Sequence, residues 1–216
     1  MQNKLPENII LVDKPKGITS FDVIRRLRKE LGIKKMGHAG TLDPLASGLM
    51  IIGINDGTKK MEQFLKLDKT YIAEILLGTK TTTGDLEGEV LELREIFDLE
   101  EDYVKEVVDN FKGIFEIAVP KHSAIKRGGK PLYEYARENI EIEIPKKPMQ
   151  VYKSKFRGLK KEGEGYLLKV EFDVASGVYI RSLAEYLGEF LDVPATLAGL
   201  QRTKIGEFSL KKARKI

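Results

Sequence analysis

The chain has 216 residues, of which 42% are hydrophobic and 32% charged, and it contains no cysteine. The missing cysteines exclude disulfides, thiolate catalysis and cysteine-based zinc or iron–sulfur sites. With only two histidines, a metal site would have to be mostly carboxylate, and no cluster of acidic residues has calcium-loop spacing. No apolar run reaches the ~20 residues that cross a bilayer, and the N-terminus lacks a signal-peptide pattern, so we expect a cytoplasmic protein without a membrane partner.

The charge is unevenly distributed along the chain, although the formal net charge is only +4. Residues 83–110 carry eleven acidic and two basic side chains, whereas residues 121–161 carry twelve basic and four acidic ones. Segregated positive charge is typical of proteins that bind a polyanion such as nucleic acid. A solvated lysine-rich surface would give the same pattern, so charge alone leaves both interpretations open.

The first elements in chain order are a strand and a helix. NIILVDKP predicts a short buried strand ended by Pro15 and Gly17. Ser20 is the predicted N-cap of the helix and Gly32 its stop. Apolar residues at helical spacing predict its inward face: Phe21, Ile24, Leu27 and Leu31.

The middle of the chain predicts two further strands, LMIIGI and TYIAEILLG, followed by the turn TTTGDLEG. A helix is predicted to begin at Asp98, because Glu101 completes a capping-box pattern, and to end at Gly113. Four residues predict its core side: Val104, Val107, Val108 and Phe111.

The last third predicts a helix with Pro131 at its first position and strands VYKSKF and YLLKVEFDV around the turn KKEGEG. VYIRSLAEYLGEFL then predicts a helix whose inward residues are Ile180, Leu183, Leu187 and Leu191. Because helices and strands mix without regular βαβ alternation or repeats, we expect an α+β fold with a mixed, mostly antiparallel central sheet flanked by helices.

GHAGTLDPLASG, residues 37–48, is the first candidate for chemistry. Pro44 disfavours a helical conformation at Asp43, and the surrounding glycines permit unusual backbone angles and close approach of a ligand. Such a loop can hold a carboxylate out into a cleft. A tight turn in which Asp43 bonds its own backbone remains the alternative.

Three further stretches carry candidate residues. Arg181 lies in the first turn of the last predicted helix, where a cation opposes the helix dipole. We therefore expect an anion near it. Asp43 is the natural partner, and a surface acid is the alternative. Tyr71 begins a strand and is either core or a stacking platform for a base. Around Gly128-Gly129, basic side chains interleave with tyrosines. This pattern indicates either a loop that closes on nucleic acid or a mobile surface loop.

Taken in order, five motifs resemble the bacterial tRNA pseudouridine-55 synthases of the TruB type: DKPKGITS, GHAGTLDPLASG, KTYIAEILLG, PKHSAIKRGGKPLYEYAR and SGVYIRSLAEYLG. The resemblance covers roughly residues 8–205. It implies an isomerase of the pseudouridine synthase fold that converts the uridine at position 55, in the T-loop of tRNA, to pseudouridine on a flipped-out base. It also implies that the enzyme works without cofactor or metal, as a monomer with no obligate protein partner.

The resemblance further implies a role for each candidate residue. Asp43 corresponds to the catalytic aspartate, Tyr71 to the tyrosine under the uracil, and Arg181 to the arginine that pairs with the catalytic carboxylate. His38 would help to displace the flipped base. The implied substrate-binding residues also include Tyr179 and Leu200, which line the uracil pocket, and Lys126 and Arg127 within a basic RNA-clamping loop at about 121–148.

Two departures qualify the resemblance. Val178 stands where the family usually has threonine, which removes a hydroxyl beside Arg181. Many members continue into a small C-terminal RNA-binding domain, and since this chain ends at Ile216 we expect a single catalytic domain over 1–216 with that domain absent or truncated. An N-glycosidase, a non-catalytic RNA chaperone and a guide-RNA-dependent relative acting on ribosomal RNA remain alternative functions.

Overall fold

The computed structural model describes residues 5–138 and 140–216. The strands are β1 Ile9–Lys14, β2 Met36–His38, β3 Ala46–Ile54, β4 Lys69–Leu77, β5 Thr79–Thr81, β6 Val90–Leu93, β7 Gly113–Ala118, β8 Lys126–Arg127, β9 Lys130–Pro131, β10 Lys146–Glu162, β11 Gly165–Val174, β12 Ala195–Ile205, β13 Phe208–Ser209 and β14 Arg214–Lys215. The α-helices are α1 Ser20–Leu31, α2 Met61–Leu65, α3 Glu101–Asn110, α4 Leu132–Arg137 and α5 Ile180–Phe190. This mixture, with mostly antiparallel strand pairs, confirms the predicted α+β class.

The described residues form two compact units. The first, called the outer-segment unit here, comprises the described residues up to Ile72 together with Gly199–Ile216. The second, the central unit, is Ala73–Ala198. Strands β4 and β12 each contribute residues to both units. Among the described residues, no helix is long and apolar enough to cross a membrane.

The sheet of the outer-segment unit is built around β3. Strand β1 runs antiparallel to β3, and β2 pairs with the same strand antiparallel. Strand β12 lies parallel to β3, with Leu200 opposite Ala46. One face of this sheet carries a buried apolar cluster, whose members include Ile9, Leu11, Leu49, Ile51, Phe64 and Ile205.

The start of α1 differs from its prediction. Thr19, not Ser20, is the N-cap: its side chain accepts from the Asp22 backbone N–H while the Asp22 carboxylate accepts from the Thr19 N–H. This reciprocal capping box satisfies two backbone donors at once, so the helix begins one residue earlier than predicted, at Ser20. Ser20 is thereby left as a buried side chain that can bond elsewhere.

The inward face of α1 is also only partly as predicted. Ile24 and Leu27 are buried, but Phe21 is 55% exposed and Val23 takes its place in the core. The Arg25 and Arg28 guanidinium carbons each lie 5.8 Å from the Phe21 ring centroid. These cation–π contacts cover part of the exposed ring, which lowers the cost of leaving it outside.

In the central unit, strands follow in the order β4, β11, β10, β7. The predicted pair of strands around KKEGEG is confirmed: β10 and β11 run antiparallel, with Glu162 opposite Gly165. Helix α5 is confirmed as well, since its four predicted inward residues are all buried.

Helix α3 begins later than predicted, at Glu101, and its N-cap Glu100 makes no side-chain capping bond. The Arg94 N–H donates to Gly78 O at 2.8 Å and the Ile96 N–H to Glu164 O at 2.8 Å. These two bonds hold the chain as far as Ile96, and Glu100 is still extended, with a ψ of 123°. The capping-box prediction there was therefore wrong, whereas Val104 and Val108 are buried as predicted.

The start of α4 also differs from its prediction by one residue. Pro131 is the N-cap of α4 rather than its first helical residue. Its φ of −62° suits either position, but a ψ of 146° places it outside the helix.

Candidate active site

The loop between β2 and β3 carries Asp43, which is half-buried. The backbone closes the turn after Asp43, because the Ala46 N–H donates to the Asp43 carbonyl at 3.0 Å. Pro44 keeps Asp43 out of the helical region, so the loop does not continue as a helix before β3 begins.

Two contacts from the chain around α1 anchor this loop. The Ser20 hydroxyl accepts from the Leu42 N–H at 2.8 Å and donates to Leu42 O at 3.0 Å, and both bonds are buried. The Gly17 N–H donates to the Pro44 carbonyl at 2.8 Å. The residues on either side of Asp43 are therefore tied to a rigid element.

Arg202 of β12 anchors the other end of the loop. Its side chain is buried; Nε donates to Leu49 O at 2.8 Å and Nη2 to Gly40 O at 3.1 Å. Nη1 approaches Thr41 O at 3.5 Å. The backbone of β12 also passes so close to Gly48 that a Cβ there would lie 2.4 Å from Arg202 O, so glycine is required at that position.

Four predicted site residues belong to the outer-segment unit. His38 ends β2 directly before the loop, and Leu200 lies opposite Ala46 in the β12–β3 pair. Tyr71 is buried in β4, whose Thr70 carbonyl accepts from the Thr203 hydroxyl of β12 at 3.2 Å. The structure thus gathers His38, Asp43, Tyr71 and Leu200 on neighbouring strands and the loop between two of them.

Two buried cations belong to these strands, Lys69 in β4 and Arg202 in β12. Burial and the nearby Arg202 guanidinium lower the pKa of Lys69 to about 8, against a smaller opposing effect of Asp68. Burial is also the main cause that lowers the pKa of His38, followed by Arg202, while the Gly40 backbone opposes the shift. His38 is therefore a neutral imidazole at pH 7, which suits a residue proposed to lie against an uncharged base.

We expect NMR titration to place the midpoint of His38 below the ordinary value of 6.5. The chain has only two histidines, so a His122→Gln variant assigns the signal. Because the unfolded chain holds the proton more tightly, His38 lowers stability as pH falls below 6.5. In Arg202→Met the midpoint should rise, since a neighbouring cation is gone; a wild-type midpoint at or above 6.5 would contradict this assignment.

Arg181 belongs to the central unit, at the first turn of α5, where no acidic residue is present. Its Nη1 donates to Thr83 O at 3.0 Å and its Nη2 to His122 O at 3.1 Å. The guanidinium thus bridges the TTTGD turn and the start of the basic segment 121–148. The expected pairing of Arg181 with Asp43 stays a prediction.

Asp85 is a buried neighbour of Arg181 that the sequence interpretation missed. It is buried and its carboxylate lies 3.7 Å from Arg181 Nη1. The Thr83 hydroxyl and the Glu87 N–H also donate to this carboxylate. TTTGDLEG had predicted only a turn; the one available signal was an acid among threonines, whose hydroxyls can satisfy a buried carboxylate.

The remaining predicted residues lie in the central unit too. Tyr179 is the N-cap of α5 and accepts from the Leu183 N–H through its backbone carbonyl at 3.1 Å. Lys126 and Arg127 form β8, which pairs with β9 across Gly128 and Gly129; these residues, 126–131, are called the basic hairpin. The two glycines adopt φ of 58° and 85°, as the turn requires.

The basic hairpin is exposed and held by weak, replaceable contacts. Arg127 pairs with Glu143 at 2.8 Å, and the carboxylate side chain is 83% exposed. The Tyr135 hydroxyl donates to Arg127 O at 3.0 Å, and Lys130 Nζ lies 4.9 Å from the Tyr135 ring centroid. Exposed ion pairs contribute little to stability, so the Arg127–Glu143 pair adds little to holding the hairpin.

No group of three or more histidines and acids able to hold a metal ion occurs in the ranges 5–138 and 140–216.

Comparisons with known proteins match almost the whole chain. The family model described as TruB family pseudouridylate synthase (N terminal domain) matches residues 28–180. "tRNA pseudouridine synthase B" of Endomicrobium trichonymphae is 41% identical, covering 96% of this chain and 88% of that protein. The protein of the same name in Fusobacterium nucleatum is 40% identical, covering 95% of this chain and 70% of that protein.

A solved structure also matches, described as a Cbf5-Nop10-Gar1 complex. The matched chain has a TM-score of 0.69 and 27% identity, with 96% of this chain and 52% of that chain covered. This chain therefore spans about half the length of the solved chain that it matches.

Proposed function

We infer that this chain, which belongs to the TruB family of pseudouridylate synthases, is a tRNA pseudouridine synthase. We place its target at uridine 55 of the T-loop, with Asp43 as the catalytic carboxylate. The observation that carries this proposal is the Asp43 loop, whose neighbouring carbonyls are held by Ser20, Gly17 and Arg202.

The proposed reaction is an isomerisation. The N1–C1′ glycosidic bond breaks, the uracil turns within the site, and a C5–C1′ bond forms; C5 loses a proton and N1 gains one. The composition of the nucleotide is unchanged and no electrons are exchanged, so the reaction needs no cofactor. A carboxylate can serve it as nucleophile or as base.

The target base must leave its stack, which costs a few kcal/mol. Stacking on an aromatic side chain returns ~1–3 kcal/mol per base, and Tyr71 is proposed as that platform. Neutral His38 fills the vacated space. Leu200 and Tyr179 are proposed to line the pocket that keeps the freed uracil from escaping.

RNA binding is assigned to the basic segment 121–148, with Lys126 and Arg127 on phosphates. Specificity then comes from the shape of the T-arm and its unpaired bases rather than from duplex readout. We propose that the enzyme acts as a monomer without an obligate protein partner, in the cytoplasm, where its tRNA substrate is found.

The test is incubation of the purified chain with an unmodified tRNA transcript, followed by site-resolved detection of pseudouridine and mass measurement. One pseudouridine at the T-loop with unchanged mass supports the proposal. An abasic site with free uracil would identify an N-glycosidase instead. Refolded but unmodified tRNA would identify a chaperone, and conversion only of ribosomal RNA with a guide would identify a guide-dependent enzyme.

Neutralising the basic hairpin should weaken binding and flatten its salt dependence. The double variant Lys126→Gln with Arg127→Gln loses two phosphate contacts. The negative slope of the logarithm of the tRNA association constant against log[salt] should therefore become shallower by about 1.5. Filter binding of tRNA at several salt concentrations measures it. The matched control is Lys59→Gln with Lys60→Gln on the outer-segment unit. If the double variant of the basic hairpin keeps the wild-type slope, the hairpin is not part of the RNA interface.

A further inference from the structure

Arg202 is one of the buried charged side chains of the outer-segment unit, which also include Lys14 and Lys69. It is 1% exposed, inside β12, and its printed contacts are to backbone carbonyls of Leu49, Gly40 and Thr41. Within residues 5–138 and 140–216, no carboxylate forms an ion pair with it. A guanidinium buried without a counter-ion is costly, and its presence therefore calls for a reason other than packing.

The placement of those carbonyls supplies the reason. Leu49 lies in β3, after the loop, whereas Gly40 and Thr41 lie within it, three and two residues before Asp43. One rigid fork thus joins the strand to the incoming limb of the loop. Lysine carries a single ammonium on a flexible stem and cannot reproduce a planar fork with five donors.

The neighbouring contacts complete the same arrangement. Ser20 bonds both the N–H and the carbonyl of Leu42, the Asp43 carbonyl accepts from Ala46, and the Pro44 carbonyl accepts from Gly17. Every carbonyl from Gly40 to Pro44 therefore has a donor. Apart from Arg202 and Ser20 the donors are backbone groups, so these two side chains are the parts of the arrangement that a substitution can remove.

We propose that Arg202 is a positioning residue for the pseudouridylation reaction: it fixes the Gly40–Thr41 limb so that the Asp43 carboxylate is held in its reactive place. Ser20 assists from the other side through Leu42. The inference rests on the proposed function, since it assigns Arg202 a role in that reaction. It does not place Arg202 in contact with RNA.

The test compares single-turnover rates at saturating tRNA with tRNA dissociation constants, at a temperature well below the melting point of every variant. Arg202→Met removes the fork but keeps the length of the side chain. We expect its rate to fall ~100-fold, because a shift of about 1 Å in a reacting group costs that much, while the dissociation constant changes less than about three-fold. Arg202→Lys should recover part of the rate, and Ser20→Ala should lose about ten-fold.

Two controls separate positioning from general destabilisation. Leu27→Ala opens a cavity under α1, where Leu27 is fully buried, and supplies a variant of lowered melting temperature. Arg214→Met removes an exposed arginine of the same unit that pairs with Glu30. Both should keep the wild-type single-turnover rate.

A structural readout keeps this inference separate from the proposed function. Hydrogen exchange of the amides between residues 39 and 46 should accelerate in Arg202→Met and not in the controls. If the wild-type chain makes no pseudouridine, the proposed function fails whatever the exchange shows. If the wild type is active but Arg202→Met keeps its rate, or loses no more than Leu27→Ala at equal melting temperature, the inference is overturned.

Discussion

Asp43→Asn should abolish pseudouridine formation, lowering the single-turnover rate at least ~10⁴-fold, because loss of an essential nucleophile or base removes the reaction path itself. The substitution keeps the shape of the side chain and leaves the loop carbonyls with the donors described above. We therefore expect tRNA affinity within a few-fold of wild type. Site-resolved detection of pseudouridine in a T-loop transcript measures the rate, and filter binding measures the affinity.

A matched control is Asp56→Asn, the same chemical change at an exposed aspartate of the same unit that pairs with Lys59. That variant should keep the wild-type rate. If Asp43→Asn forms product as fast as wild type, Asp43 is not the catalytic carboxylate. If it loses binding as much as rate, its role is in holding RNA rather than in the chemistry.

Arg181→Met should lower the rate ~10³-fold and also lower the stability of the fold, because the two losses have different physical origins. Two partly buried bonds, to Thr83 O and His122 O, are lost, and the buried Asp85 carboxylate loses its nearby cation. Unsatisfied buried groups cost about 1–3 kcal/mol each. The loss of rate follows from the proposed pairing of Arg181 with Asp43 during the reaction.

Arg181→Lys separates charge from geometry. It keeps a cation near Asp85 but cannot donate to both carbonyls as the fork does, so we expect the melting temperature to recover more than the rate. Arg94→Met is the control in the central unit, since Arg94 is half-exposed and donates to Asp192 O at 2.8 Å. If Arg181→Met lowers the melting temperature but keeps the wild-type rate, Arg181 is a structural residue only.

Local patterns predicted much of the fold correctly. The antiparallel pair β10–β11 and the buried face of α5 follow from residue periodicity and a glycine turn, and the structure confirms both. Errors occurred where two local signals competed. At α1, Ser20 and Thr19 are both good caps, and only the reciprocal bond with Asp22 decides between them.

The candidate site divides in the same way. Asp43 could be singled out from sequence because an Asp-Pro step among glycines is a local feature with a local consequence. Arg202 and Asp85 could not, because each looks like an ordinary surface charge in the sequence. Arg202 bonds carbonyls 153 and 162 residues earlier in the chain, and no periodicity encodes such a distance.

The sequence by itself determined the α+β class, the principal strands, the α5 face and the loop that presents Asp43, since each depends on neighbours a few positions apart. Only the tertiary structure decided which donors satisfy the carbonyls of that loop and which buried charges surround it. A backbone carbonyl has no sequence signature of its own, so its partner is known only once strands distant in the chain have paired.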